Sequence, residues 1–359
     1  MAPIGVARRL RTSRLHDRLT LLRELYPELR LGWDVTGLAV LAGLLGTVLL
    51  AGVRTGSPVS SVAGLIGACA GCAFVGTLLG IRHRAIVPAV VVTAVAGLLW
   101  DFREELLLGP ISGPFDYRNA TGALLFQGAL GCLIAGFAFR NLAARLISLL
   151  PAAAFGVLAV RSSAATAAGL ALVAITLLAL AGRRGTRAAV VMCGTATALV
   201  LTGTVWLGLA YQPGQRLTGP SAAIADAGIT ERRFALWHDA TAIIAEHPGG
   251  IGHGAFGTTS PTALSDRDTI YVHQEFLEQT AELGWAAGAL LILLVVWAFG
   301  RLVANPRADA VTALAAVAFA GLLIQAGVDY VLHFPAVPMA ASALLGTGIA
   351  APRDEYEDW

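Results

Sequence analysis

The chain has 359 residues, 56% of them hydrophobic and 13% charged, with a mean hydropathy of +0.71 and a formal net charge of +2. Soluble domains carry about 25% charged residues, so this composition excludes a wholly water-exposed surface and makes the lipid bilayer part of the solvent. The small net charge sits on arginines gathered between apolar runs, the 25 basic residues including no lysine, and this pattern excludes a nucleic-acid partner.

In chain order, residues 1–32 are polar and Arg-rich and read as a cytoplasmic tail, with a basic amphipathic helix on the inner leaflet. The length of this stretch, and of the apolar run behind it, argues against a cleavable signal peptide. A bilayer core needs about 20 apolar residues per helix. Ten segments qualify: 33–53, 59–80, 85–100, 120–139, 142–160, 164–182, 188–210, 276–300, 309–329 and 334–350. The predicted fold is an all-α polytopic membrane protein with about ten transmembrane helices. Seven lie within 33–210 and three within 276–350. A long loop, 211–275, separates the two sets, and a short tail, 351–359, follows. Cys69, Cys72, Cys132 and Cys193 all fall in apolar runs and read as small buried hydrophobes.

Charge sets the orientation. With the N-terminal tail inside, 17 of the 25 arginines face the cytoplasm, among them Arg82, Arg84, Arg140, Arg145, Arg183, Arg184, Arg187, Arg301, Arg307 and Arg353. Of the eight outside, four belong to the long loop, where the positive-inside rule has little force. Both termini are thus expected in the cytoplasm and the long loop on the outer face.

That loop changes composition. The stretch ERRFALWHDATAIIAEHP spaces Phe234, Trp237, Ala240, Ile243 and Ile244 at helical intervals and stops at Pro248. It predicts a helix lying in the outer interface with Trp237 at headgroup level. The glycine-rich HPGGIGHGAFG could present backbone N–H groups to an anion, or simply turn the chain. It is no phosphate-binding P-loop, because no Gly-Lys-Ser/Thr follows. Asp266 and Asp268 form an Asp-x-Asp pair of the kind that holds a divalent metal, a spacing that is common by chance, and no metal site is assigned to them.

Several ionisable groups could carry chemistry. His273 ends the loop just before an apolar run, and histidine is the side chain that takes a proton from a hydroxyl near neutral pH. A snorkelling interfacial histidine is the plainer alternative. Arg232 and Arg233 precede Trp237, and the guanidinium fork binds phosphate oxygens bidentately. Arg161 lies in a short connection near the membrane plane, where it wants an anionic partner or sits simply at the interface. His253 lies in the glycine-rich stretch. Asp329 and His333, four apart, would share a face of the ninth span or cap it before Pro335. All of these fall on the outer side.

The outer loop and its continuation resemble the O-antigen ligase and Wzy-type polymerase superfamily of bacterial membrane glycosyltransferases. His273 and Gln274 are followed by nine residues and Gly284, with Glu282 as the acidic residue usual before the glycine. Arg233, Trp237, Pro248 and GIGHGAF are similar to further family elements, as are Asn119 in GPFDYRNATGALL, VRSSA around Arg161, and DYVLHFP. The chain departs from the pattern at Ala255, where asparagine is usual, and at Ala287.

The resemblance implies a GT-C-like fold in the bacterial plasma membrane. It further implies an inverting glycosyl transfer, without metal or other cofactor, from a glycan on undecaprenyl diphosphate to a glycan, lipid or protein acceptor. It makes His273 the base and Arg233 and Arg161 diphosphate clamps with Arg232 beside them, and leaves His253, Glu282, Asp329, His333 and Asn119 as supporting candidates. A transporter or flippase of a lipid-linked or anionic substrate is the alternative from another class. A member that binds a lipid-linked glycan without turning it over is the third.

Overall fold

The computed structural model describes residues 34–351 apart from 109–111, 140, 164, 182–184, 215–216, 220–221, 224, 226–228 and 266–268. The amphipathic tail helix, Arg183, Arg184, Arg353 and the Asp266/Asp268 pair fall outside the described residues. Those described contain helices, turns and no strand.

Six helices are long and apolar enough to cross a membrane: α1 (Asp34–Thr55), α2 (Ser60–Arg82), α5 (Arg118–Ala138), α6 (Leu142–Ser162), α8 (Thr186–Ala210) and α13 (Trp285–Val303). Four shorter apolar helices accompany them: α3 (Ile86–Trp100), α7 (Ala165–Ala181), α14 (Ala310–Ala326) and α15 (Ala336–Ile349). The remaining pieces are α4 (Arg103–Leu108), α9 (Glu231–Glu246), α10 (Phe256–Thr259), α11 (Pro261–Ser265), α12 (Glu275–Leu283) and a 3-10 turn at Val331–His333. The chain is a multi-pass membrane protein.

α5 and α14 form the centre. Both are apolar almost all round, which suits helices enclosed by other helices, and nearly every residue of α14 is buried. They approach closely because Gly321 faces the ring of Phe126, and Gln127 Nε2 donates to the Ala318 carbonyl at 3.1 Å. At about 1.5 Å per residue, the 17 residues of α14 fall short of a roughly 30 Å bilayer core. An interior helix need not reach the lipid boundary, and its C-terminal end gives way to the turn that carries Asp329. Outward-facing Val53, Leu150 and Leu178 are 72–85% exposed, as lipid-facing side chains should be.

The end of the bundle away from the 211–275 segment is tied by charge. Arg84 grips both oxygens of Asp309 (2.5 and 3.1 Å) at the N-terminus of α14, and Arg301 Nε meets Asp34 Oδ1 at 2.7 Å. Asn305 Nδ2 donates to the Gly348 carbonyl at 2.9 Å.

At the opposite end, α9 packs across α8 and α12. Leu207, Phe234, Leu236, Trp237, Ile243, Phe256, Val272, Leu277 and Ala281 form a separate hydrophobic core there. This corrects two expectations. Trp237 is fully buried in that core rather than anchored among headgroups, and its Nε1 donates to the carbonyl of His273 at 3.3 Å. The eighth apolar segment, expected as one helix over 276–300, is two. α12 ends at Gly284, whose φ of +94° turns the chain into α13. The glycine is required, because a Cβ there would sit 2.7 Å from the Gly249 backbone in a conformation that side chains disfavour.

Candidate active site

The site begins with one carboxylate. α14 stops at Ala326, and the following turn carries Asp329, 2% exposed, beneath the cap. The pair Asp329 and His333 therefore does not share a helical face: Asp329 lies in the turn and His333 ends the 3-10 element. Oδ1 of Asp329 accepts from Tyr117 Oη (2.5 Å), from the Tyr330 backbone N–H (2.8 Å) and from His273 Nδ1 (3.0 Å). Oδ2 accepts from Arg233 (3.3 Å) and from Asn119 Nδ2. Tyr117 and Asn119 open α5, Arg233 comes from α9, and His273 precedes α12, so three separate segments converge on one acidic side chain.

The electrostatics follow. Burial pushes the Asp329 carboxyl up, but the bond from His273, the charge of Arg233 and the Tyr117 hydroxyl outweigh it and hold the group below the usual carboxylate range. Burial, reinforced by the negative Asp329, drives the Tyr117 hydroxyl far above its ordinary value, so it stays a donor. An ionised Asp329 only accepts, so His273 Nδ1 is the donor of this pair, and in the neutral imidazole Nε2 is then the acceptor.

His273 is held in a demanding conformation. Its φ is +57°, which costs a non-glycine residue roughly 1–2 kcal/mol. The flanking backbone is anchored on both sides. Trp237 bonds the His273 carbonyl, and the Val272 N–H donates to Glu278 Oε2 at 2.9 Å. Gln274 caps α12, its Oε1 accepting the Leu277 N–H. The imidazole meets Tyr330 edge-on at 4.8 Å between centroids.

The remaining candidates are distributed around this centre. Glu282, 2% exposed, accepts the N–H groups of Gly254 (2.8 Å) and Phe256 (3.2 Å) and lies 3.1 Å from His253 Nδ1. Of the two readings of the glycine-rich stretch, a nest or a simple turn, the backbone N–H groups of Gly254 and Phe256 meet the chain's own Glu282. His333 pairs with Glu278 (2.9 Å) and Glu275 (3.6 Å) instead of Asp329. Arg232 precedes Arg233 on α9 and so points about 100° away around the helix. Arg161 ends α6 at the same end of the molecule, where its carbonyl accepts from Arg118 at 3.2 Å. It closes the end of an apolar groove of about 560 Å³ whose walls include Leu130, Ala152, Gly156 and Leu170.

Sequence reasoning missed three tyrosines. Tyr117, Tyr330 and Tyr271 stack at 4.5 and 4.6 Å between centroids, beside His273 and His333. The available signal was position: Tyr271 lies two residues before His273, Tyr117 two before Asn119, and Tyr330 next to Asp329. Among the described residues no group of three or more His, Cys, Asp or Glu has a metal-binding arrangement.

Neither a curated protein nor a solved structure matches the chain. A family model does match, over residues 146–292, and its description is O-Antigen ligase. The matched stretch holds Arg161, Arg233, His253, His273 and Glu282; Asn119 and Asp329 lie outside it and join the site only through the fold. Over that stretch, from α6 into α13, the chain is similar to the O-antigen ligase family.

Proposed function

We propose that this chain transfers a glycan from an undecaprenyl-diphosphate carrier to an acceptor hydroxyl at the outer face of the bacterial plasma membrane, with inversion and without a metal. The observation that carries the reading is the meeting of His273 and Arg233 on the single carboxylate of Asp329. Asp329 fixes the imidazole so that Nε2 faces away with its lone pair, as a general base requires. The acceptor oxygen attacks the anomeric carbon, its proton passes to Nε2, and the bond from that carbon to the diphosphate oxygen breaks with its electron pair leaving on the diphosphate. Arg233 holds one guanidinium nitrogen against Asp329, and the other edge of its fork suits the growing negative charge on the leaving group. The apolar groove that ends at Arg161 supports an amphiphilic donor with an anionic head. A transporter would need charge near mid-bilayer; the described ionisable side chains here collect at the two ends of the bundle.

The test supplies purified protein with undecaprenyl-diphosphate glycan and a panel of hydroxyl acceptors and measures released carrier and glycosylated product. Wild type should release carrier in step with product, in excess EDTA as well, and His273→Ala should release none while still inserting. Full turnover by His273→Ala would remove the proposed base.

A further inference from the structure

A second cluster of buried ionisable groups lies directly behind the base. Glu275 and Glu278 are 1% and 2% exposed and stand one turn apart on α12. Each accepts a backbone N–H from a different segment at 2.9 Å: Glu275 from Leu332, and Glu278 from Val272. Val272 immediately precedes His273, and Leu332 lies three residues beyond Asp329. The two segments that carry the base and its carboxylate therefore hang from one face of one short helix. His333 closes the arrangement, its Nε2 2.9 Å from Glu278 and 3.6 Å from Glu275; the angle is poor for a hydrogen bond, so the contact is an ion pair. Tyr271 covers it edge-on at 4.6 Å.

We propose that Glu275, Glu278 and His333 are positioning residues that use α12 as a ruler to set His273 against Asp329. This rests on the transferase reading for its purpose but on the clamp geometry for its existence. Neither carboxylate need touch substrate. Their burial would be costly if they did nothing, because two desolvated acids side by side repel and also need a cation. His333 supplies that cation, and burial favours a proton on Glu275, so the cluster approaches neutrality at ordinary pH. A rigid helix also offers what a loop cannot: a fixed separation between the two anchor points.

The experiment compares Glu275→Ala with its near-isostere Glu275→Gln, which keeps an oxygen for the Leu332 N–H, and adds His333→Gln, a less buried site that disturbs the core less. Glycan transfer gives kcat and KM, a thermal transition reports folding, and carbethoxylation of His273, located by peptide mass spectrometry, reports whether the ring is still held. The clamp requires kcat to fall about 10–100-fold in Glu275→Ala and His333→Gln with donor KM unchanged. It also requires His273 to be labelled several-fold faster in both, and Glu275→Gln to return near wild type. Wild-type kcat and labelling in folded Glu275→Ala, or in His333→Gln if the alanine variant does not fold, overturns the proposal. A loss of stability with kcat and KM falling together, unrelieved by glutamine, overturns it too, since that marks packing alone. If wild type itself transfers no glycan, the transferase reading fails, and the labelling comparison still decides the clamp.

Discussion

Asp329 accepts five hydrogen bonds and is 2% exposed, so its replacement should be felt twice. Asn in its place offers one acceptor oxygen and an NH₂ that faces donors, so His273 loses the partner that fixes its tautomer. Asp329→Asn should lower kcat on the order of 10²–10³-fold, measured as carrier release, with donor KM nearly constant. The Asp329 carboxyl lies below its usual range, so its contribution to stability is present above the ordinary carboxylate pKa and is lost as pH falls through the depressed one. Glu275 and His333 carry the opposite sign. Burial raises Glu275, and the facing carboxylates raise His333 to about 9 against the contrary pull of burial. The groups facing this pair are Glu278, Glu282, Asp329 and Tyr271. Both raised groups stabilise at low pH and lose that stabilisation as pH rises through their folded values. Activity should thus have an alkaline limb below about pH 9, and Glu275→Gln, which cannot ionise, should push that limb upward in a pH–rate profile. Arg233→Lys tests a different property. One ammonium cannot hold Asp329 and a diphosphate together, so donor KM should rise about tenfold or more, equivalent to roughly 1.4 kcal/mol, in initial-rate measurements.

α12 shows how far periodicity carries and where it stops. His273, Gln274 and Gly284 were recognisable at their spacing, and so was the apolar run behind them. The break between α12 and α13 was not, because a hydropathy window averages across Gly284 and cannot see that the Pro248–Gly249 backbone needs the space beside it. The burial of Glu275, Glu278 and Glu282 was not legible for a related reason. A carboxylate is buried when distant backbone N–H groups come to it, and those donors sit at positions 332, 272 and 254, which local pattern does not connect. Trp237 was placed on the apolar face of its helix but assigned to the headgroup level, since the core that receives it includes Val272 and Leu277 from another segment. If the kink at Gly284 is what keeps α12 under the loop, Gly284→Ala should be disproportionately harmful. The positive φ costs roughly 1–2 kcal/mol and the Cβ meets the Gly249 backbone at 2.7 Å. A lowered thermal transition with weakened Trp285 N–H to Pro248 bonding, read by hydrogen exchange, is the expected outcome; alanine without effect would show that the turn is not constrained.

The molecule divides its charge between two ends, and the division argues for one topology. Arg84–Asp309 and Arg301–Asp34 close one end, where arginine is plentiful, while Asn119, Arg233, His273 and Asp329 gather at the other under the cap built by α9 and α12. The apolar segments along the chain were legible because lipid imposes a simple rule on composition. The convergence of residues 119, 233, 273 and 329 was not, because it depends on α5 and α14 lying side by side at the centre, a fact of packing. On the positive-inside rule the cap end is expected outside. That assignment can be read directly in a chain freed of Cys69, Cys72, Cys132 and Cys193 and given a single new thiol. Leu264→Cys, at a site 62% exposed in the cap, should react with a membrane-impermeant maleimide added to intact spheroplasts. His83→Cys, exposed beside Arg84 at the far end, should react only after the membrane is opened. The reverse pattern would put the Asp329 centre in the cytosol, where the donor's glycan is not presented, and the transferase reading would fall with it. The proposed pattern leaves the apolar groove along α6 opening to the bilayer, with Arg161 at its outer mouth, so that a carrier diffusing in the membrane brings its diphosphate to the end where the base and its carboxylate wait.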